Sequence, residues 1–511
     1  MILILHDNNI IREVLDKNQA TIQYDQSIKL IESFIYLAKT YPDELLIWCH
    51  IDIKDDLNLK AINSVFHHKR VMASYHPHLN YILSNKIGYV DQSFYLKVNK
   101  NTRFTTWLST SLVGGVHASI VNKLSKSITN KSNFDYFLNS LAKLGMSQGL
   151  FCYSEPQLLK RLTKKEMKTK KISEYDLYRF VREHYKWFWV YFLTLSDLVY
   201  NRKLMLLPLL KSLFYKQIKK DFKLSEISIQ SNKSLCKDKT VDVIIPTIGR
   251  KEYLYNVLLD LSKQTLLPKN VIIVEQNPDK NALTELDYLT TQNWPFSIKH
   301  TFTHQTGVCN ARNVALSQVE SEWTLLGDDD NRLEDDVIAR LLNAVCIHGV
   351  KAGTTVYIQP NEIQKYFVTA QTSFFGAGNS LIKSDLLDIL KFDKRYEFNY
   401  GEDNDFGMKI KQLGCDVIFF SDIKILHLKA PMGGYRTRFK HPWESEKILP
   451  KPSPTIMLLN KSYFTDEQFK AYKLLYFIRR YKSSSLFKNI FKFRRRFLKE
   501  WQVSLKWANQ L

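Results

Sequence analysis

From residue 241 onward, short apolar runs alternate with stretches whose apolar residues recur at helical spacing. Val241-Asp242-Val243-Ile244-Ile245-Pro246-Thr247 is a β-branched run closed by proline, which predicts a strand. Gly249-Arg250 opens a stretch with Leu254, Val257, Leu258 and Leu261 on one face, which predicts a helix. Val271–Val274 predicts a second strand, ending in Glu275-Gln276-Asn277-Pro278. Gly307-Val308-Cys309-Asn310-Ala311-Arg312-Asn313 leads into another helix, and Trp323-Thr324-Leu325-Leu326-Gly327 is a further strand. Strands alternating with helices predict an α/β fold with a mostly parallel, right-handed, doubly wound sheet. Such sheets bind ligands in the crevice at the carboxyl ends of their strands.

Three strand ends therefore converge, carrying Pro246, Thr247 and Arg250, then Glu275 and Gln276, then the consecutive triplet Asp328-Asp329-Asp330. Adjacent carboxylates repel, so a fold keeps them together only under full solvation or around a cation. A solvated loop is one reading, with Asp335 and Asp336 continuing an acidic helix start. The other is a hard divalent cation bridging phosphate oxygens. Convergence of the three ends favours a pocket for a nucleoside diphosphate. Downstream, Glu402-Asp403-Asn404-Asp405 follows Gly401. Carboxylates at a helix start are common caps. Chemically, one carboxylate there suits a general base. Ile423–Leu426 reads as a strand ending in His427, and Gly433-Gly434-Tyr435-Arg436 as either a closing loop with Arg436 on phosphate or a plain turn.

Taken in order, IIPTIGR, GVCNARNVAL, the DDD triplet, GAGNSLI at 376–382 and YGEDNDFGMKIKQLG at 400–414 resemble family 2 glycosyltransferases of the GT-A fold. The resemblance covers roughly residues 241–436. It implies an inverting transfer of a sugar from a nucleotide-diphosphate donor to an acceptor hydroxyl, with Mn²⁺ or Mg²⁺. It assigns Asp330 as metal ligand and Asp328 as ligand or ribose contact. Asp329, Arg250 and Arg312 fall on the donor, unless the arginines are ordinary ion pairs. It makes Asp403 the base, with Glu402 orienting the acceptor and Asp405 pairing within its helix. Glu275 and Gln276 stand where the family has an acidic pair reading base and ribose, and the amide at 276 departs from that pattern. His427 could complete the metal site, which favours Mn²⁺ over Mg²⁺ because imidazole suits the former.

Composition narrows the partners. The 511 residues carry 73 Lys and Arg against 51 Asp and Glu, a formal net charge of +22. Nucleic acid, anionic lipid and anionic substrate are all compatible with that charge. No zinc-finger or RNA-binding signature appears, so nucleic acid is not expected. The six cysteines are widely spaced without a CxxC, which favours a reducing compartment. The first residues lack the basic region of a signal peptide, and no apolar run is long enough to span a bilayer.

The chain before the transferase-like region is also α/β in pattern, with strands at Ile2–Leu5 and Leu45–Cys49 and a helix over Ser27–Thr40. Gly114–Ile120 resembles Gly376–Ile382, and Leu141–Gly145 resembles Ile410–Gly414. Residues 1–160 thus read as an α/β domain, either an unrelated one or a degenerate GT-A-like copy. In such a copy Cys49-His50-Ile51-Asp52 replaces the triplet, and Phe134-Asp135-Tyr136 replaces Gly401-Glu402-Asp403. His6, Asp7, His50 and Asp52 could hold a metal, although scattered His and Asp are more often structural. Residues 161–237 read as a helical, basic and aromatic connector, buried between domains or lying in a membrane interface. Residues 238–445 form the transferase domain.

Residues 446–511 form a basic helical tail. From residue 470 it interleaves Arg479, Arg480, Lys482, Lys488, Lys492, Arg494, Arg495, Arg496 and Lys499 with aromatic side chains. That pattern suits an anionic membrane surface. The expected protein is therefore a cytoplasmic enzyme on the inner face of the plasma membrane, taking a nucleotide-sugar donor and a glycan or lipid-linked acceptor for cell-surface polysaccharide. The alternative is an inactive scaffold or sugar-binding protein of GT-A form.

Overall fold

The computed structural model describes residues 1–24, 29–99, 101–130, 133–160, 171–430, 439–483 and 489–511. The chain forms two compact units, Met1–Lys233 with Phe464–Arg479, and Ser234–Tyr463 with Arg480–Leu511. This division differs from the four segments expected from the sequence. The connector is no separate element, because its helices bury Leu177, Tyr178, Phe180, Val181, Val190 and Leu193 in the core of the first unit. The tail is shared between both units.

The first unit holds strands β1 (Ile2–Asp7), β2 (Ile10–Leu15), β3 (Leu45–His50), β4 (Val71–Ser74), β5 (Phe104–Thr105), β6 (Val113–His117) and β7 (Phe151–Ser154). Its helices are α1 (Leu30–Thr40), α2 (Ile62–Val65), α3 (Ala118–Leu124), α4 (Phe134–Met146), α5 (Glu174–His184), α6 (Phe188–Ser196) and α7 (Leu206–Ser212). The sheet order is β2-β1-β3-β6-β4-β7-β5. Both predicted strands are present. The predicted helix begins at Leu30, with Ser27 and Ile28 outside the described residues.

The second unit continues with β8 (Val241–Thr247), β9 (Asn270–Gln276), β10 (Ser297–Thr303), β11 (Trp323–Gly327), β12 (Asn331–Leu333), β13 (Ala352–Ile358), β14 (Ala370–Gln371), β15 (Asn379–Lys383) and β16 (Ile418–His427). Its helices are α8 (Lys251–Ser262), α9 (Tyr288–Thr291), α10 (Val308–Leu316), α11 (Val337–His348), α12 (Glu402–Gln412) and α13 (Pro454–Tyr463). Helix α14 (Asp466–Lys482) crosses the boundary between units, and α15 (Ile490–Ala508) ends the chain. The strand order is β10-β9-β8-β11-β15-β13-β16-β12, with β14 on β16. Strands β8, β9, β10 and β11 are all parallel, as the alternating pattern requires. All seven residues of β8 and of β9 are buried, the expected state of strands covered on both faces.

The two sheets share a plan. In the first, β1-β3-β6-β4-β7-β5 pair parallel, antiparallel, antiparallel, parallel, antiparallel. In the second, β8-β11-β15-β13-β16-β14 pair in the same sequence of directions and the same chain order. The sheets part company at their edges, the second also carrying β12 on β16. The second adds parallel β9 and β10, whereas the first has β2 antiparallel to β1. Register places Cys49 opposite Val113 where Gly327 stands opposite Asn379. His50 and Asp52 therefore occupy the positions of Asp328 and Asp330. The GGVHASI and GAGNSLI motifs are out of step with this register, since Gly114 matches Ser380 rather than Gly376.

The first unit closes what the second leaves open. Asp135, one residue into α4 as Asp403 is into α12, accepts the Ser111 backbone N–H at 2.6 Å and its hydroxyl at 2.9 Å. His6 is fully buried, with Nε2 2.7 Å from the Ser111 carbonyl and its ring against Phe134. Burial lowers His6 to about 4, so it is neutral at pH 7. His50 lies 3.8 Å from Asp7 and 3.9 Å from Asp52. Among the described residues these groups form no cluster close enough to share a metal ion.

In the tail, Phe493, Phe497 and Trp501 of α15 are buried, while Trp507 donates to Glu446 at 2.9 Å. Glu500, also buried, pairs with Arg480 and with Arg496 at 3.0 Å. The aromatic face expected to meet lipid is thus packed within the second unit, leaving Ile490 and Phe491 exposed. Phe487 and Lys488 lie outside the described residues. Cys236 and Cys346, 110 residues apart, are joined as a disulfide, which spacing alone did not foretell.

Asp135 is a structural acid on this account. Asp135→Ala leaves the Ser111 donors without their acceptor and should cost about 1–3 kcal/mol in denaturant unfolding, the usual penalty for orphaned buried polar groups.

Candidate functional site

The carboxyl ends of β8, β9 and β11 open into a cavity of about 410 Å³, a size that holds small ligands. Pro246, Thr247, Arg250, Gln276, Arg312, Asp328, Asp329, Asp330, Glu402 and His427 line it. These are ten of the residues expected from the sequence. Glu275 and Asp403 stand just outside the lining, and Arg436 lies outside the described residues.

The lining groups come from several elements of the second unit. Glycine at 307 adopts φ +136°, and a Cβ there would strike the Glu397 carboxylate. Glu397 can thus accept the backbone N–H groups of Cys309 and Asn310, both at 2.9 Å, and satisfy the first turn of α10. That seats Arg312 with its side chain 6% exposed, 3.0 Å from Asp328 and 3.6 Å from Asp403. Its guanidinium lies over the Phe392 ring at 5.3 Å. Two guanidinium nitrogens of Arg312, Nε and Nη1, are buried without a hydrogen-bond acceptor among the described residues.

The triplet divides its labour. Asp329 is buried, accepting from Thr247 Oγ1 at 2.8 Å and pairing with Arg250. Burial pushes Asp329 up to about 6, against the pull of Arg250 and Thr247. Asp330 receives Arg250 at 2.9 Å and the Ala430 N–H at 3.0 Å, and its Oδ1 lies 3.3 Å from His427. Burial raises Asp330, but the His427 and Ala430 hydrogen bonds and the Arg250 charge outweigh it and leave it below the usual carboxylate range. His427 is raised in turn by its bond to Asp330. Asp328 meets Arg312 on one oxygen and the Tyr357 hydroxyl, 3.0 Å away, on the other.

Tyr357 also lies 2.7 Å from Asn331 Oδ1, and its ring stacks on His427 at 4.7 Å with an 8° tilt. The absence of a side chain at Gly378 makes room for Asp328 and Tyr357 together. Sequence reasoning missed Tyr357, Glu397, Phe398, Asn399 and Lys429, the last three of which also line the cavity. A tyrosine on a strand carries no signal of its partners, and Glu397 acts on a helix far away in sequence.

At α12, Glu402 faces the cavity and Asp403 turns toward Arg312, its side chain still 29% exposed. Burial raises both carboxyls. Arg312 opposes the rise, while the neighbouring Asp328 charge reinforces it. Asp405 pairs with Lys409 at 2.7 Å and accepts from the Tyr463 hydroxyl at 2.7 Å, which keeps it inside its helix bundle as expected. Glu275 is spent on the fold: it lies 2.9 Å from His300 and accepts the Glu285 N–H at 3.1 Å and the Thr284 hydroxyl. Gln276 accepts the Gly307 N–H at 2.7 Å, bracing the turn before α10.

Asp328, Asp330 and His427 offer ligand atoms within 4.8 Å of one another. Asp330 Oδ1 is buried and faces His427 at 3.3 Å. Two carboxylates and an imidazole gathered this closely fit a divalent cation.

Residues 242–392 match the model of Glycosyl transferase family 2. They are a family 2 glycosyltransferase domain. The resemblance read from the motifs is therefore borne out over that stretch of the C-terminal half. No curated protein matches the sequence. Three solved structures show distant likeness to this chain. TarS 1–349 of S. aureus with UDP is 19% identical over 37% of this chain and 60% of its own, at TM-score 0.31. The same protein with UDP-GlcNAc is 18% identical over 53% and 81%, at TM-score 0.39. GalNAc-T7 with UDP, GalNAc and Mn²⁺ is 13% identical over 41% and 48%, at TM-score 0.32. The chain thus spans less than two thirds of the TarS–UDP chain.

Arg312 compensates two acids at once. In Arg312→Met the folded-state pKa of Asp403, already raised by burial, should rise further above the unfolded value. The folded form then binds more protons than the unfolded form, so the variant regains stability as pH falls. Removing one partner of such a buried set costs about 3–5 kcal/mol. Urea unfolding should show that deficit at pH 8 and a smaller one at pH 5.5.

Proposed function

We propose that the second unit transfers a sugar from a nucleotide-diphosphate donor to a hydroxyl of a glycan or lipid-linked acceptor, with inversion and with a divalent cation. The observation that carries this reading is the gathering of Asp328, Asp330 and His427 on one side of a cavity and Glu402 and Asp403 on another, linked by Arg312. A single displacement needs those two sets: one for the departing diphosphate, one for the incoming hydroxyl.

Asp328, Asp330 and His427 would hold a divalent cation, which would supply positive charge against the diphosphate. Imidazole in the set favours Mn²⁺ over Mg²⁺. Arg250, reaching Asp329 and Asp330 at the rim, places a second fixed charge beside the phosphates. Asp403 takes the proton from the acceptor hydroxyl as that oxygen bonds to the anomeric carbon and the bond to the diphosphate breaks. A base must be ionised yet basic, and burial of Asp403 raises its proton affinity toward that of a working base. Arg312 keeps it ionised and fixes its direction. Glu402, facing the cavity, orients the acceptor.

UDP serves as the first probe. Asp330→Ala should lose the Mn²⁺-dependent part of UDP affinity by calorimetry; equal UDP binding with Mn²⁺ or chelator, in wild type, contradicts the metal assignment. Asp403→Asn should keep UDP affinity within about twofold while turnover falls by roughly 10²-fold or more. If Glu402→Gln produces that loss and Asp403→Asn does not, the base is Glu402.

Because burial raises Asp403, protonation should silence the enzyme at a pH where an ordinary aspartate is still ionised. The acid limb of kcat/KM should therefore lie above the usual carboxylate range, with activity rising as pH increases through it. A limb near the unperturbed value of about 4 would point to an unburied base.

A further inference from the structure

The α6–α7 region of the first unit is apolar on the side it turns to solvent. Along α6 and the turn after it, Trp187, Tyr191, Leu195, Leu198 and Val199 recur at helical spacing and are exposed. The opposite face, with Val190, Phe192 and Leu193, is buried in the core. Helix α7 repeats the arrangement with Leu206, Leu207, Leu210, Leu213 and Phe214, the last 87% exposed. A helix that is apolar all round belongs in an interior. Here one side has an interior and the other has none, and clustered exposed apolar side chains mark an interaction site.

Charge selects the occupant. From Lys186 to Lys220 the sequence has seven cations and one acid, Asp197. That acid is fully buried and held by Lys86 at 3.0 Å, so it does not offset the cations outside. Lys186, Arg202, Lys203, Lys211, Lys216 and Lys219 are exposed among the apolar residues. A second copy docked on this face by twofold symmetry would bring like charges together. A bilayer with anionic headgroups accepts both the apolar side chains and the surrounding cations. No described helix is long and apolar enough to cross a membrane, so the contact is with one leaflet.

We propose that α6 and α7 lie in the interface of an anionic lipid bilayer, and that this surface, rather than the C-terminal tail, attaches the chain to membrane. The tail keeps exposed cations but has committed Phe493, Phe497 and Trp501 to its own unit. The attachment stands apart from the transfer chemistry, so either can fail without the other.

The test is co-sedimentation of the full chain with vesicles of phosphatidylglycerol and phosphatidylcholine, and with phosphatidylcholine alone. Wild type should sediment with the anionic vesicles. The triple variant Trp187→Ser, Leu207→Ser, Phe214→Ser changes only exposed positions and should bind at least about tenfold more weakly, because the apolar burial is gone. Its far-ultraviolet circular dichroism and thermal unfolding should match wild type, which shows an intact fold. Arg494→Gln, Arg495→Gln, Lys499→Gln in the tail should stay within about twofold of wild type. Undiminished sedimentation of the first variant, or loss in the tail variant alone, overturns the proposal. So does a wild-type chain that ignores vesicles but forms a dimer which the first variant dissolves.

Discussion

Five carboxylates gather at one end of the second sheet, Asp328, Asp329, Asp330, Glu402 and Asp403, and two arginines hold them there. Arg250 binds Asp329 and Asp330, and Arg312 stands between Asp328 and Asp403. Neither arginine can shed its proton, so the compensation is permanent. It is also incomplete: three of the five acids are pushed upward by burial despite it. Beside them, Asp328, Asp330 and His427 bring ligand atoms within 4.8 Å of one another, an arrangement that fits a divalent cation. Much of the surrounding fold follows from seating Arg312. Glycine at 307 lets Glu397 cap α10, and the cap fixes the turn from which Arg312 projects.

The parallel half of the second sheet was legible in the sequence because its strands are buried on both faces and read as continuous apolar runs. The triplet was legible because three acids after such a run have few structural explanations. Asp403 and Glu402 were placed by resemblance, and the fold brings Asp403 to Arg312. What escaped has a common cause. Tyr357, Glu397 and the Cys236–Cys346 pair act across large sequence separations, and no local pattern reports a partner dozens of residues away. Glu275 shows the converse error of position. It sits at the right strand end, yet its oxygens are taken by Thr284, Glu285 and His300.

The first unit was read from a pattern too weak to set its register. Its sheet repeats the strand order and directions of the second, but the motifs that suggested a repeat are offset from the true correspondence. What differs chemically is the edge and the pocket. Strands β9 and β10 have no parallel equivalent, His50 and Asp52 stand where the second unit has Asp328 and Asp330, and Asp135 is turned inward onto Ser111. The aromatic segment after it misled for a simpler reason. Composition shows that a helix is apolar but not that half of its apolar side chains stay outside. Only the burial of Val190 and Leu193 beside exposed Trp187 and Leu195 separates the two faces.

The most direct measurement of the central claim is Mn²⁺ binding followed by electron paramagnetic resonance on the full chain, with and without UDP. The account predicts one bound ion per chain, with an affinity that rises when UDP is added and that falls sharply in Asp328→Asn and in His427→Ala. Mn²⁺ bound equally well by wild type and both variants would contradict it, since the ion would then sit away from Asp328, Asp330 and His427.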